Sequence, residues 1–161
     1  MKTFITLAFL LLSFAACDKK DGAAPTSAAA PTEAGAKVAH PPLVLAYDAL
    51  REALAVDDLD LTKAKAKDLA AIAGAPAQVV AVASSFDKLP NLETARVAFG
   101  EVSRAYITHL AATPDVAKGL IAFRCPMAET YQLWVQTGEP MRNPYMGKRM
   151  LECGSKVEMI P

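Results

Sequence analysis

Cys125 and Cys153 lie in a stretch, residues 124–154, that reads RCPMAETYQLWVQTGEPMRNPYMGKRMLECG. Met127, Met141, Met146 and Met150 share it, four of the chain's six methionines. Met159 follows, the sixth is Met1, and no methionine stands between residues 2 and 126. Methionines that only fill a core should scatter among the helices, because their value there is conformational tolerance. Here soft sulfur gathers in the one segment that lacks a clear helical period. Thiolate and thioether together form the ligand set that selects Cu(I). Cys125 and Met127 are two apart, so an extended chain turns both side chains to one side. Met150 and Cys153 are three apart, neighbours on one helical turn. Joined, the two pairs give a four-sulfur site of Cys125, Met127, Met150 and Cys153. Zinc suits this set less, because its sites are built from Cys, His and carboxylates and the chain has two histidines. The competing reading is a disulfide between Cys125 and Cys153. Closing a loop of about 29 residues, it contributes about 3 kcal/mol in the chain-entropy model. Both readings stay open, and redox cycling could release a bound metal.

Other chemistries find less support. His109 stands near a helix end, where imidazolium caps the dipole; it becomes a ligand only if the chain turns back toward Cys125. His40 sits between alanine and two prolines and reads as a solvated tether residue. Cys125 with His109 imitates a thiol–imidazole dyad, but no other nucleophile–base pair and no Gly-rich phosphate loop is seen, so no enzyme is expected. Seventeen basic against seventeen acidic residues leave zero formal charge, which disfavours nucleic acid as a partner.

The elements that must position the sulfurs are helical. Leu43, Tyr47, Leu50 and Leu54 fall on one face of a first helix, with Val44 and Ala53 beside them. Asp57-Asp58 closes it and caps a second, residues 59–72, whose thin inward stripe is Ala66, Leu69 and Ala73. A short third helix turns Val79, Val82, Ala83 and Phe86 inward. Pro90 stops it, and Asn91 caps a fourth. That fourth helix carries Leu92, Ala95, Phe99, Val102, Tyr106 and Leu110 at steps of three and four. Short connections favour antiparallel neighbours, so the expected class is mainly α, an antiparallel up-down four-helix bundle. Residues 119–124, 131–136 and 156–160 read as strands, giving a small C-terminal hairpin or sheet broken by Pro126, Pro140 and Pro144. Trp134, the single tryptophan, reads as a core anchor.

The front of the chain speaks to compartment. Residues 4–14 are apolar apart from Thr6 and Ser13, follow Lys2, and are too short to span a bilayer, as a signal-peptide core is. Ser13-Phe14-Ala15-Ala16-Cys17 resembles a bacterial lipobox, with Phe14 where Leu is usual. The resemblance implies cleavage after residue 16 and acylation of Cys17; the alternative is an ordinary secretory signal with a free Cys17. Residues 17–42 are rich in Ala, Pro, Thr and Ser and read as a disordered tether. The organisation expected is therefore a signal over 1–16, a lipidated tether over 17–42 and a folded domain over 43–161. The protein would then face the periplasm from a lipid membrane, in an oxidising space where disulfides persist.

Several tail motifs carry a family resemblance. Cys125-Pro126-Met127-Ala128, Trp134, Asn143-Pro144-Tyr145-Met146-Gly147 and Met150-Leu151-Glu152-Cys153-Gly154 resemble the closing signature of the domain of unknown function 3347 family. Tyr47 with Ala49-Leu50, and Ala95-Arg96 with Phe99 and Ser103, are similar to its helical part. Met146 stands where that family commonly has an aromatic residue. Members are exported bacterial proteins, and the domain also occurs fused to periplasmic adaptor subunits of heavy-metal efflux pumps. The resemblance implies an accessory role in the periplasm, with copper as cargo and an efflux component as partner. A disulfide-stapled domain that docks onto an envelope complex without metal is the alternative.

Overall fold

The computed structural model describes residues 39–159. The signal segment, Cys17 and all but the end of the tether lie outside the described residues. What is described is mainly helical and carries a small antiparallel sheet.

Helix α1, Pro42–Ala55, opens with proline in its first turn, where the missing N–H costs nothing. Its inward face is the expected one: Tyr47, Leu50, Ala53 and Leu54 are all buried. Asp58 then caps α2, Leu59–Ala70, accepting from the Leu61 amide at 2.8 Å. Helix α2 stops two residues before the expected end. Ala73 is therefore exposed, and Thr62 joins Ala66 and Leu69 on the buried stripe. The Thr62 hydroxyl is satisfied by the Asp58 carbonyl at 2.6 Å, which lets a polar residue sit inward.

Helix α3, Ala77–Ala83, is only seven residues long, and Phe86 falls in the 3-10 turn Phe86–Lys88 that follows it. Both Val79 and Phe86 are buried, so the apolar spacing survives the change of helix type. Helix α4, Leu92–Ala112, is capped by Asn91, which accepts from the Thr94 amide at 3.0 Å. It buries Ala95, Phe99, Val102, Tyr106 and Leu110 along its length. A single turn, α5, Pro114–Ala117, adds a helix that the sequence pattern did not announce.

Three short strands close the domain: β1, Ile121–Arg124, β2, Leu133–Gln136, and β3, Ser155–Val157. Their order is β2-β1-β3, antiparallel throughout, with β1 in the centre. Register places Phe123 opposite Trp134, and their rings stack at 5.5 Å. Adjacent buried residues on β1 and β2 mean that both faces of this ribbon are covered. Helix α4 packs on β2 and brings Phe99 to 5.7 Å from Tyr145, which in turn meets Trp134 edge-on at 5.9 Å. The aromatic chain Phe99–Tyr145–Trp134–Phe123 thus runs from the helical body to the central strand, whose end carries the first cysteine.

Candidate functional site

Cys125 follows β1 directly and Cys153 comes two residues before β3, the strand beside it. Their Sγ atoms are 3.9 Å apart although 28 residues separate them in the chain. Cys125 is fully buried, whereas Cys153 is partly exposed. Both are free thiols in this structure. Burial, reinforced by the hydrogen bond and charge of Cys125, pushes the Cys153 thiol up from its ordinary value.

Asn143 holds this arrangement, and nothing in the sulfur pattern pointed to it. Its side chain is buried, and its Oδ1 accepts from the amides of Tyr145 at 2.8 Å and Met146 at 3.1 Å. Its Nδ2 donates to the carbonyl of Cys153, and its own amide donates to the Leu151 carbonyl at 2.7 Å. One amide side chain therefore fixes both the turn after it and the backbone of the second cysteine. The signal available in sequence was Asn143-Pro144, a pair that favours turn initiation.

A second clamp fixes the turn Gly147–Met150. Arg96 of α4 pairs with Asp57 and donates to the Pro144 carbonyl at 3.1 Å. Asp57 also accepts from the Lys148 amide at 3.0 Å. Gly147 has φ of +58°, and a Cβ there would stand 1.8 Å from the Asp57 carboxylate. Only glycine satisfies both conditions. A third clamp joins α1 to the tail. Arg142 forks onto Glu52 at 2.7 and 2.8 Å, and Arg51 donates to the Arg142 carbonyl at 3.0 Å.

The methionines divide. Residues 125–128 form a turn, closed by the Ala128 amide on the Cys125 carbonyl at 3.3 Å, rather than the extended segment expected. The buried Cys125 and the 54 % exposed Met127 consequently diverge in environment. Met127 lines a cavity of about 320 Å³ together with Met146, Arg96, Arg149, Glu93 and Glu129. Met150 ends the 3-10 turn, 37 % exposed and outside that cavity. The Met150–Cys153 turn is present, with the Cys153 amide on the Met150 carbonyl at 3.0 Å. Met141, which sequence spacing did not select, lies with its sulfur 3.2 Å from the point where a Gly154 Cβ would stand. His109 stacks on Tyr106 at 6.5 Å between ring centres and lines a groove with Gln78 and Thr108. Among the described residues no three His, Cys, Asp or Glu side chains converge as a metal-binding group.

Comparison with family models, curated proteins and solved structures gave no match.

The chemistry open to the site follows from its two sulfurs. Two thiolates held about 2.3 Å from one thiophilic ion at a tetrahedral angle stand about 3.8 Å apart. At 3.9 Å the two sulfurs are in thiol–thiol hydrogen-bond contact, a separation that one thiophilic ion could also span. A closed zinc site needs four protein donors, and the thiol pair with neutral thioethers is a poorer match to it than to Cu(I). A disulfide requires the sulfurs to approach to about 2.05 Å, which side-chain rotation at the partly exposed Cys153 would have to supply.

Proposed function

We propose that this chain is an exported, membrane-anchored lipoprotein that captures or hands over Cu(I) in the bacterial periplasm through Cys125 and Cys153. The observation that carries the reading is the convergence of two thiols, distant in sequence, at 3.9 Å on a scaffold held by buried hydrogen bonds. Copper is cargo here. Cys153, the more exposed thiol, meets the incoming ion first, and the buried Cys125 completes the clasp. Each thiol that binds gives up a proton, so loading is favoured as pH rises. Met127, on the turn beside Cys125, and Met150, one turn before Cys153, are the thioethers that sequence spacing offers as assisting donors.

The resemblance of the CPM, NPYMG and MLECG segments to the domain of unknown function 3347 family supports the same role, with a periplasmic efflux component as recipient. In this reading the helices form an up-down bundle. The packing of α1 on α2, α2 on α3 and α3 on α4 supports it. Acylation of Cys17 supplies the attachment to lipid, and no helix among the described residues is long and apolar enough to cross a membrane.

Complete burial of Cys125 favours a second reading, a disulfide staple in an interaction domain. Its formation joins the two sulfurs and passes two electrons to an external oxidant with release of two protons. Competition titration of reduced, oxygen-free protein against a chromogenic Cu(I) chelator separates the two. The copper reading expects one Cu(I) held by wild type and lost in Cys125→Ser. Equal, weak retention in both proteins leaves the staple.

A further inference from the structure

Cys125 and Cys153 differ in what can reach them. Cys125 is 0 % exposed, whereas Cys153 is partly exposed, just ahead of the edge strand β3. Both backbones are pinned. The Cys125 amide donates to the Gln132 carbonyl at 3.0 Å, and the Cys125 carbonyl accepts from the Ala128 amide at 3.3 Å. On the other side, the Cys153 amide donates to the Met150 carbonyl at 3.0 Å, and the Cys153 carbonyl accepts from Asn143 Nδ2. Approach of the sulfurs from 3.9 Å is therefore left to side-chain rotation, and Cys153 has the room for it.

A thiolate opens a disulfide by attacking one of its sulfurs, through a mixed disulfide, and access to the attacking sulfur limits the rate. An external disulfide can touch Cys153 but not the enclosed Cys125. Once Cys153 carries the incoming sulfur, Cys125 already stands beside it, and the second attack is intramolecular.

We infer that the pair is a reversible thiol–disulfide exchange centre, in which Cys153 meets an external disulfide and Cys125 resolves the mixed disulfide. The inference deepens the disulfide reading, turning a staple into a bond that opens and closes, and it rests on the thiol pair rather than on copper. The Cys153 thiolate bonds to one sulfur of the incoming disulfide, and the other sulfur leaves as a thiolate. The Cys125 thiolate then attacks the Cys153 Sγ and displaces the second external sulfur. Two electrons pass from the pair to the external disulfide, and the two cysteine protons end on two external thiols. An external thiolate attacking Cys153 runs the same steps backward. The closed state keeps no thiolate, the form of cysteine that binds metal, so closing the bond also shuts the site to Cu(I).

The test uses the full chain, in detergent, reduced and free of metal. It is mixed with oxidised glutathione, quenched with acid at intervals, and each cysteine is mapped by mass spectrometry, with Cys17 read on its own peptide. Cys125→Ser should collect one glutathione at Cys153, and Cys153→Ser should collect one at Cys125 at least about tenfold more slowly. Wild type should pass through an adduct at Cys153 to the internal disulfide, and dithiothreitol in native buffer should reopen that bond. Equal rates at the two cysteines overturn the inference. So does a wild-type adduct that persists without closing, or one that forms first at Cys125. An internal disulfide that dithiothreitol opens only in urea also overturns it and leaves a permanent staple. The wild-type time course needs no variant, so it decides even where Cys153→Ser fails to fold. Copper is judged separately by the chelator competition: equal, weak retention in wild type and Cys125→Ser ends the copper reading and leaves the metal-free exchange result standing.

Discussion

At the scale of single residues, the thiol pair is asymmetric, and the asymmetry is measurable. Cys153 is reachable and its thiol is raised by burial first, then by the hydrogen bond and charge of Cys125. In reduced, metal-free protein, alkylation of Cys153 by iodoacetamide should therefore set in at higher pH than for a cysteine in a peptide. Cys125→Ala removes two of the three causes, so the profile should move to lower pH; an unmoved profile would show that Cys125 does not act on its neighbour. The sign for stability follows. A group that holds its proton more tightly when folded stabilises below its unfolded value and loses that contribution as pH rises through its folded value. The reduced protein should accordingly melt at lower temperature as pH climbs above the ordinary thiol range. Asn143 is a second residue with a definite role. Asn143→Ala leaves buried backbone groups unpaired and should cost about 3 kcal/mol in chemical denaturation. A loss under about 0.5 kcal/mol, the level of ordinary surface changes, would deny it that role. The sequence showed the thiols but not what holds them, because an asparagine's importance lies in three partners that spacing alone does not reveal.

Among the elements, α4 and the tail depend on each other. Phe99 is fully buried between Tyr47 at 5.5 Å and Tyr145 at 5.7 Å, so it joins a helix–helix contact to a helix–tail contact. Phe99→Ala should destabilise by about 3–5 kcal/mol, read from urea unfolding. Gly147→Ala tests the clamp on the Gly147–Met150 turn. Its Cβ would displace the Asp57 carboxylate from Arg96 and the Lys148 amide. Faster proteolysis within residues 143–153 than in wild type is the expected outcome, and unchanged cleavage would mean the turn holds without Asp57. The long helices were legible because three- and four-residue spacing is a local signal, as in Ala95, Phe99, Val102 and Tyr106. Helix α2 ended early because Gly74 and Pro76 act on residues upstream of themselves. Residues 125–128 were misread because Cys125 and Met127 invite an alternating pattern, while Pro126 favours a turn.

For the whole molecule, the proposed acylation of Cys17 can be tested apart from the folded domain. Cys17→Ser should move the protein out of the membrane fraction or leave its leader uncleaved; unchanged processing and unchanged partitioning into detergent would exclude acylation. The general class, helices first and a small sheet last, followed from apolar periodicity. The coupling of the two did not, because Arg142 to Glu52 and Lys148 to Asp57 are contacts over 90 and 91 residues. Those spans set a schedule as well as a shape. Loop closure over such distances slows folding, and α1 finishes its polar contacts only when the segment around Arg142 reaches it. The central strand likewise waits for β3, near the end of the described chain. A polypeptide threaded across a membrane from its N-terminus would stay open until nearly all of it had emerged. The two sulfurs would then meet only on the far side, after the scaffold that aligns them has already closed.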